Sequence, residues 1–310
     1  MFTYSDSNKR YHTLDYYLKH KFNSKVFKVS LNGGFTCPNI DGTKGYGGCI
    51  YCSSLGSGEY AGKKEDDLKT QFNNVLNLML KKWPNAKYIA YFQPNTNTYA
   101  PLPVLKEKYE EVLTYKDVIG LSIATRADSI TDDTLNYLSE LNKKTFLTIE
   151  LGLQTMHDKT AKLINRGHDL KCFEEMVLKL RKHNINVVVH IINGLPYETK
   201  EMMIETVKYL NKLDIQGIKI HMLSVLKNTR LATMYNANLF KLIDREEYID
   251  IVCNQLSYLR PEIVINRITG DPKQDDLIAP EWILNKRTII NDIDKYMKKY
   301  DLYQGKKITD

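Results

Sequence analysis

The sequence predicts an α/β fold organised on a parallel sheet, and three observations carry that expectation. Short β-branched or aromatic runs alternate with helical periodicities through six strand segments. Right-handed crossovers would then lay each helix against the face of a single sheet. Glycines and polar side chains gather just after the C-terminal ends of the runs, where β/α barrels carry their cofactor loops. With 310 residues, 43% of them hydrophobic, the chain can bury one large core undivided; an α/β barrel commonly uses about 250 residues.

Residues 1–25 are polar and aromatic, with a short helix suggested by Leu14-Asp15-Tyr16-Tyr17-Leu18, and read as a lead-in. Val26-Phe27-Lys28-Val29-Ser30-Leu31 alternates as a first strand. Residues 65–83 read as a helix, because Leu68, Phe72, Val75, Leu76 and Met79 fall at helical spacing, and 88–92 as a second strand. A helix over 102–114 leads to a strand over 118–124. The next helix, 131–141, has Thr131 or a nearby serine as its cap and leads to a strand over 146–151. Helix 169–184, the β-branched strand 185–192, helix 199–213 and strand 217–223 complete the alternation. Beyond it, 246–259 reads as helix, 262–268 as strand and 282–300 as helix. The expected organisation is a lead-in over 1–25, a barrel core over 26–225 and a C-terminal extension over 226–310 packed on the core. Periodicity alone does not say whether the sheet closes.

Lys and Arg outnumber Asp and Glu, for a net charge of +7. That favours an anionic partner such as RNA, and is equally the balance of an ordinary basic enzyme. No apolar signal or membrane-spanning run is present, and five cysteines cannot all pair. A cytoplasmic chain with reduced thiols is expected, with no membrane partner.

The chemistry concentrates after the first strand. Cys37, Cys49 and Cys52 stand in a C-x11-C-x2-C array whose middle is rich in glycine, and Gly33-Gly34 precede it. Such a loop must curl tightly to bring the thiols together, and glycine permits the turns at positive φ that this requires. Three converging thiolates indicate a metal or cluster with one ligand position left open, since closed zinc sites and simple iron–sulfur clusters use four ligands. A zinc loop completed by a remote histidine, His12 or His20, is the other reading of the residues. Cys172 and Cys253 fall in helical patterns and read as small buried hydrophobes.

This array resembles the radical S-adenosylmethionine (SAM) enzymes, in which three loop cysteines bind a [4Fe-4S] cluster and SAM chelates the fourth iron. The common spacing there is C-x3-C-x2-C; the longer first spacing here is similar to the branch containing the Elongator catalytic subunit and the YhcC/YtqA-type proteins. Gly34-Phe35-Thr36-Cys37-Pro38-Asn39, Gly56-Ser57-Gly58, Asn165-Arg166-Gly167-His168, Asn266-Arg267-Ile268-Thr269-Gly270-Asp271 and Ala279-Pro280-Glu281-Trp282 extend the resemblance over nearly the whole chain. It implies an α/β fold of partial (β/α)6 radical SAM barrel type, with the cluster and SAM as cofactors.

The resemblance also implies site residues. Cys37, Cys49 and Cys52 would be the metal ligands and the catalytic centre. Tyr51 corresponds to an aromatic position that packs on the SAM adenine. Gln93 follows strand two, where many members carry Gly-Gly-Glu; that sequence is absent here, and Gln93 stands in for it. Ser122, Glu150 and Gln154 mark later strand ends as cofactor contacts, with barrel-core hydrogen bonding as the alternative for Glu150 and Gln154. Arg166 suits the SAM carboxylate, its guanidinium being a planar fork of charged donors; a surface ion pair is the plainer reading. Asn193 and Leu195 lie in the turn after strand five, placed to pass beneath an adenine. His190, within an apolar strand, reads as a satisfied core histidine.

Reductive cleavage of SAM would then yield a 5′-deoxyadenosyl radical that removes a hydrogen from substrate, with an external one-electron donor as partner. YtqA-type members are associated with wobble-uridine modification in tRNA, as an MnmL-like component converting carboxymethylaminomethyl-uridine towards aminomethyl-uridine before a downstream methyltransferase acts. The implied function is therefore a radical SAM enzyme modifying tRNA. The alternatives are a radical SAM enzyme acting on a small metabolite or protein, and a non-catalytic, zinc-containing RNA-binding protein. Lys286, Arg287, Lys295, Lys298, Lys299 and Arg267 form the basic C-terminal group expected to dock tRNA.

Overall fold

The alternation read from the sequence becomes seven parallel strands in one curled sheet. In the computed structural model, which describes residues 2–53, 56, 58, 60–80 and 82–308, these are β1 (Val26–Leu31), β2 (Lys87–Phe92), β3 (Val118–Thr125), β4 (Phe146–Gln154), β5 (Asn186–Asn193), β6 (Gly217–Met222) and β8 (Val264–Arg267), adjacent in that order. The intervening helices are α2 (Leu68–Leu80), α3 (Leu102–Leu113), α4 (Asp132–Asn142), α6 (Leu170–Lys182), α7 (Lys200–Leu210) and α9 (Arg245–Tyr258). Ser57, residue 81 and the side chain of Met79 lie outside the described residues.

Four of these helices begin where the sequence offers an oxygen acceptor. Thr131, Asp169, Thr199 and Asp244 accept hydrogen bonds from the orphan N–H groups of the first turns of α4, α6, α7 and α9. Apolar helix faces close on the outer side of the sheet. Leu105 and Tyr109 of α3, Leu138 of α4, Phe173 and Leu180 of α6 and Val207 and Leu210 of α7 are fully buried there with Leu121, Ile149, Val189 and Ile220 of the strands.

Three features go beyond the expected plan. Two short helices, α5 (Asp158–Leu163) and α8 (Arg230–Asn236), occupy connections that carry too few residues for a periodic signal. A two-stranded antiparallel pair, β7 (Val225–Leu226) with β9 (Leu277–Ala279), covers the mouth beside α8. The strand expected in the C-terminal extension also joins the main sheet, β8 pairing in parallel with β6. The extension therefore completes the core. The helix expected over 282–300 divides into a short 3-10 turn, Glu281–Leu284, and α10 (Lys286–Lys299).

The lead-in closes the opposite end. Helix α1 (Leu14–Phe22) packs Leu18 against Val26 and Ile89, with Phe22 edge-on to Phe146, at the N-terminal ends of the strands. Thr13 bridges to Ile265 of β8, and the Ile265 N–H donates to the carbonyl of His12 at 2.7 Å.

One side chain locks this closure. Gln304, fully buried, accepts from the His12 N–H at 2.8 Å and donates to the carbonyls of Arg260 and Ile263, each at 2.8 Å. Removing it leaves the His12 N–H and the Ile263 carbonyl unpaired, each costing about 1–3 kcal/mol before water or movement compensates, while the Arg260 carbonyl keeps the Ile263 N–H at 3.1 Å. Gln304→Ala is expected to lower unfolding stability by about 2–4 kcal/mol in urea titration of the metal-free protein. A loss under about 0.5 kcal/mol would show that the closure does not depend on this amide.

Candidate active site

Alternate residues of the curled sheet point into a cavity of about 600 Å³. Lys28 and Ser30 of β1, Tyr91 of β2, Glu150, Gly152 and Gln154 of β4, His190 and Ile192 of β5, and Lys219 and His221 of β6 line it. Cys37, Cys49, Tyr51, Cys52 and Gln93 form its upper wall, at the C-terminal ends of the strands. A second, shallower depression of about 1100 Å³ lies around the opposite strand ends, between Phe22, Leu102, Tyr137 and Phe146, and contains no thiol.

The cysteine loop is built from β1 outward. A Cβ at Gly33 would meet the Phe35 ring at 2.4 Å, so glycine there lets Phe35 fold back onto Phe92. Asn39 then organises the turn. Its backbone carbonyl accepts from the Gly48 N–H at 2.8 Å, and its amide donates to the Asn165 carbonyl at 2.6 Å while lying 3.8 Å from the Cys49 sulfur. Gly45 and Gly167 make room for this amide, since a Cβ on either would approach Asn39 Oδ1 to 2.4 or 2.9 Å. Asn165 and Arg230 both donate to the Gly48 carbonyl, at 2.8 and 2.6 Å, tying the loop to the segment after α5 and to the start of α8.

None of the three loop cysteines is in a disulfide, and all are half-buried. Burial pushes the Cys49 thiol up, while the Arg126 charge and a hydrogen bond from Tyr51 work the other way. Arg126 grips Asp128 through two hydrogen bonds of 2.9 Å and donates to the Arg166 carbonyl at 2.7 Å. Burial opposes its charge, yet Asp128 and the neighbouring Cys37 and Cys49 hold its pKa above the ordinary value. A fixed cation beside a set of soft thiolates suits an anionic iron–sulfur assembly. His12 and His20 lie on the lead-in and α1, away from this cavity wall. Cys253 is fully buried in the core, as expected, and Cys172 is half-buried at the start of α6.

The structure separates the other expected contacts into two groups. Tyr51, Gln93 and Gln154 line the cavity near the thiols. Gln154 sits at a bulge where β4 shifts register against β5, with φ 60, and Gly152 leaves space for its amide. Arg166 also borders the cavity, but it is 1% exposed and its guanidinium is committed inside the protein. It donates to the carbonyls of His168 (2.8 Å), Leu153 (2.6 Å) and Thr155 (2.8 Å) and pairs with Asp158 at 3.4 Å. Four of its five N–H groups are thereby used, so it braces the end of β4 rather than presenting an open fork. Asn193 pairs reciprocally with Gln255 of α9 at 2.8 and 2.9 Å, and Leu195 is buried in a second apolar cluster with Ile50 and Leu231. Neither side chain lines the cavity.

Below the thiols stands a network that sequence reading did not assemble. Glu150, with no solvent exposure, accepts from Lys28 Nζ at 2.5 Å and Ser122 Oγ at 2.7 Å on one oxygen. Its other oxygen accepts from His190 Nε2 at 2.7 Å and from Lys219, whose Nζ also reaches Tyr91 Oη at 3.0 Å. Burial alone would raise the Glu150 carboxyl, but Lys219, Lys28 and His190 hold it well below the usual range. Burial pushes Lys219 down to about 7 despite Glu150. Burial, with Lys219 beside it, takes His190 down to about 4, so His190 donates to Glu150 as a neutral imidazole. The signal was present as period-two alternation of Lys28, Glu150, His190 and Lys219 in apolar strands, which puts all four on the inner face.

The basic C-terminal group is divided as well. Arg287, Lys295, Lys298 and Lys299 are exposed on α10, whose opposite face buries Ile289, Ile293 and Met297. Lys286 is held by Asp271 at 2.8 Å and Lys295 lies 3.6 Å from Asp292. Arg267 lines the cavity and does not belong to that outer surface. No helix among the described residues is long and apolar enough to cross a membrane.

Comparison with known proteins agrees with this arrangement. The family profile described as the Radical SAM superfamily matches residues 43–210, beginning between Cys37 and Cys49, and the Radical_SAM C-terminal domain matches 215–299. The chain is 52% identical over 305 residues to YtqA of Bacillus subtilis, covering 98% of this chain and 95% of that protein. It is 32% identical over 284 residues to YhcC of Escherichia coli, covering 91% of each. A stretch of 156 residues, 49% of this chain and 29% of its counterpart, is 26% identical to the tRNA uridine(34) acetyltransferase of Methanocaldococcus infernus. Among solved structures, the Elp3 protein of that archaeon superposes with a TM-score of 0.68 at 19% identity, covering 91% of this chain and 64% of that one.

The depressed Lys219 yields a signed pH test. Between about pH 7 and its ordinary 10.5, the unfolded chain keeps a proton that folded Lys219 releases, so its contribution to stability rises with pH in that window. Urea unfolding of the metal-free parent and of Lys219→Met, at about pH 7 and about pH 10, is expected to show the parent gaining stability relative to the variant. A parallel response of the two proteins would place the Lys219 pKa near its ordinary value.

Proposed function

The chain belongs to the radical SAM superfamily, and from that premise we propose that it modifies the wobble uridine of tRNA, acting on carboxymethylaminomethyl-uridine to leave aminomethyl-uridine. The observation that carries this reading is the set of three cysteines, none in a disulfide, on one wall of a cavity inside a parallel half-barrel, in a chain with sequence similarity to a tRNA uridine(34) acetyltransferase.

Cys37, Cys49 and Cys52 would hold a [4Fe-4S] cluster, leaving one iron for SAM; among the described residues they do not close into a metal-holding group, but their chemistry and their common cavity suit it. None of the three is in a disulfide, they share one cavity, and Arg126 places a fixed positive charge beside two of them. When bound, the cluster and SAM together supply one-electron chemistry that ends in abstraction of a hydrogen atom from substrate.

The chain's own residues supply positioning. Asn39 fixes the turn that carries Cys49; Tyr51, Gln93 and Gln154 offer an aromatic face and two amides to SAM along the upper wall. Arg166 keeps the β4 end rigid beneath them. Phe35, Ile50 and Leu195, each buried, exclude water around the loop. Ser122 and Glu150 act one layer lower, holding Lys28 and Lys219 in place at the cavity floor. An external one-electron donor and a methyltransferase acting on the aminomethyl product complete the proposed partners.

Replacing Cys37, Cys49 or Cys52 singly by Ala is expected to abolish iron retention and the brown colour after anaerobic reconstitution, while Cys172→Ala keeps both. Full iron content in Cys49→Ala would remove that residue from the ligand set. The function itself is tested by nucleoside analysis of tRNA from a deletion strain, where carboxymethylaminomethyl-uridine is expected to accumulate and its demodified product to disappear. An unchanged nucleoside profile would redirect the search to a metabolite or protein substrate.

The exposed face of α10 is the proposed tRNA contact. Replacing Arg287, Lys298 and Lys299 together by Ala should weaken binding and flatten its salt dependence, by about 0.9 in log–log slope for each phosphate no longer neutralised. Equal slopes for parent and variant would exclude this face.

A further inference from the structure

The floor of the cavity gathers basic side chains around one buried carboxylate, Glu150. Lys28 and Lys219 share the single carboxylate of Glu150. The imidazole of His221 lies beside that of His190, their ring centroids 5.1 Å apart. Burial keeps both imidazoles neutral.

Arg267 adds a third cation. Its register explains why it faces inward: β8 slips against β6 between Ile218 and Lys219, so Ile265 pairs with Ile218 and Arg267 with Lys219, leaving Asn266 as the extra residue. Such a bulge re-aims the side chain that follows it. Asn266 and Arg267 consequently both line the cavity.

The guanidinium of Arg267 is less engaged than those of Arg126 and Arg166. Its acidic neighbour is Asp271, at 3.9 Å, beyond hydrogen-bonding distance, and Asp271 is itself held by Lys286 at 2.8 Å. The side chain is 32% exposed, and the residue lines the cavity. An incompletely used planar fork beside Lys219, in a pocket whose two floor lysines share the Glu150 carboxylate, is complementary to a carboxylate that enters from outside.

We infer that Arg267, with Lys219 beneath it, binds the carboxylate of the substrate's side arm and so distinguishes a carboxymethylaminomethyl base from one lacking that group. The assignment rests on the tRNA reading above and adds to it the group that the enzyme recognises. Lys286 is a positioning residue in this scheme: it keeps Asp271 from turning onto Arg267. Departure of the whole carboxymethyl group as a two-carbon acid, with the C–N bond broken and the nitrogen kept on the base, removes the attraction and leaves a protonated amine facing Lys28 and Arg267, which favours release of product.

Two anticodon stem-loop RNAs, identical except for carboxymethylaminomethyl-uridine or aminomethyl-uridine at the wobble position, provide the test. Binding is measured to the SAM-loaded, cluster-reconstituted protein under anaerobic conditions. The parent should prefer the carboxylate-bearing RNA by about tenfold or more, the scale of a hydrogen-bonded charge pair. Arg267→Ala should lose that preference while binding the aminomethyl RNA at least as well as the parent. Arg267→Lys should recover part of it, and Lys286→Ala should lower it severalfold with Arg267 intact. Equal binding of both RNAs by the parent, or an undiminished preference in Arg267→Ala, overturns this inference and leaves the tRNA reading standing. Binding of neither RNA by the parent overturns the tRNA reading, and this inference with it.

Discussion

A carboxylate without solvent, in the middle of a curled sheet, is the constraint from which the rest of the interior follows. Glu150 on β4 is stable as an anion only because donors from β1, β3, β5 and β6 reach it together. Strands β1 and β6 are distant in the sheet order, so their contacts to it form only when the sheet is curled. The network is thus a closure element as well as a polar one. Replacing it wholesale by packed apolar side chains would not necessarily weaken the fold, whereas removing Glu150 alone would strand two buried cations. Such a network is retained for what its charges do, and here they face a cavity.

The loop above this layer is held from the opposite direction. Lys28 and Glu150 belong to strands, but the cysteine loop takes its shape from Asn39, from the carbonyls and amide of the 164–166 segment, and from Arg230 at the start of α8. Arg166 contributes by tying the Leu153 and Thr155 carbonyls to its own segment, so the bulged end of β4 and the loop anchor move as one. Thiols fixed by a frame of this kind need little further ordering to meet a cluster. That is the advantage of building a site on the ends of rigid strands.

Much of this was legible in the sequence because its signals are local. Strand and helix alternation has a period that survives without tertiary knowledge, and the three-cysteine array carries its chemistry in its composition. What escaped was set by pairings between remote segments. The α5 and α8 helices are too short to show a period, and β8 looks like an appendage until its register against β6 is known. Arg166 carries the charge suited to a carboxylate ligand, but the carbonyls at Leu153 and Thr155 claim it first. Asn193 likewise is drawn to Gln255 on α9, a partner 62 positions away. Arg267 was grouped with the outer lysines because no sequence periodicity reveals a one-residue bulge.

The bulge also shows how one scaffold can separate general chemistry from choice of substrate. Thiols, aromatic face and amides lie at the upper wall, where the proposed cofactors would need them whatever the substrate. The charges lie lower and on the far strand, where a single shift of register decides whether an arginine joins the cavity or the outer layer. Lys28, Lys219 and Arg267 come from the first, sixth and last strands of the sheet, so the curl that satisfies Glu150 is also what assembles them into one cationic floor. A sheet opened enough to separate β1 from β6 would lose the Glu150 pairing and this floor together, while the loop anchored to α8 and the 164–166 segment would keep its local turns. Recognition of an acidic group therefore depends on closure of the half-barrel more directly than assembly of the cysteine loop does.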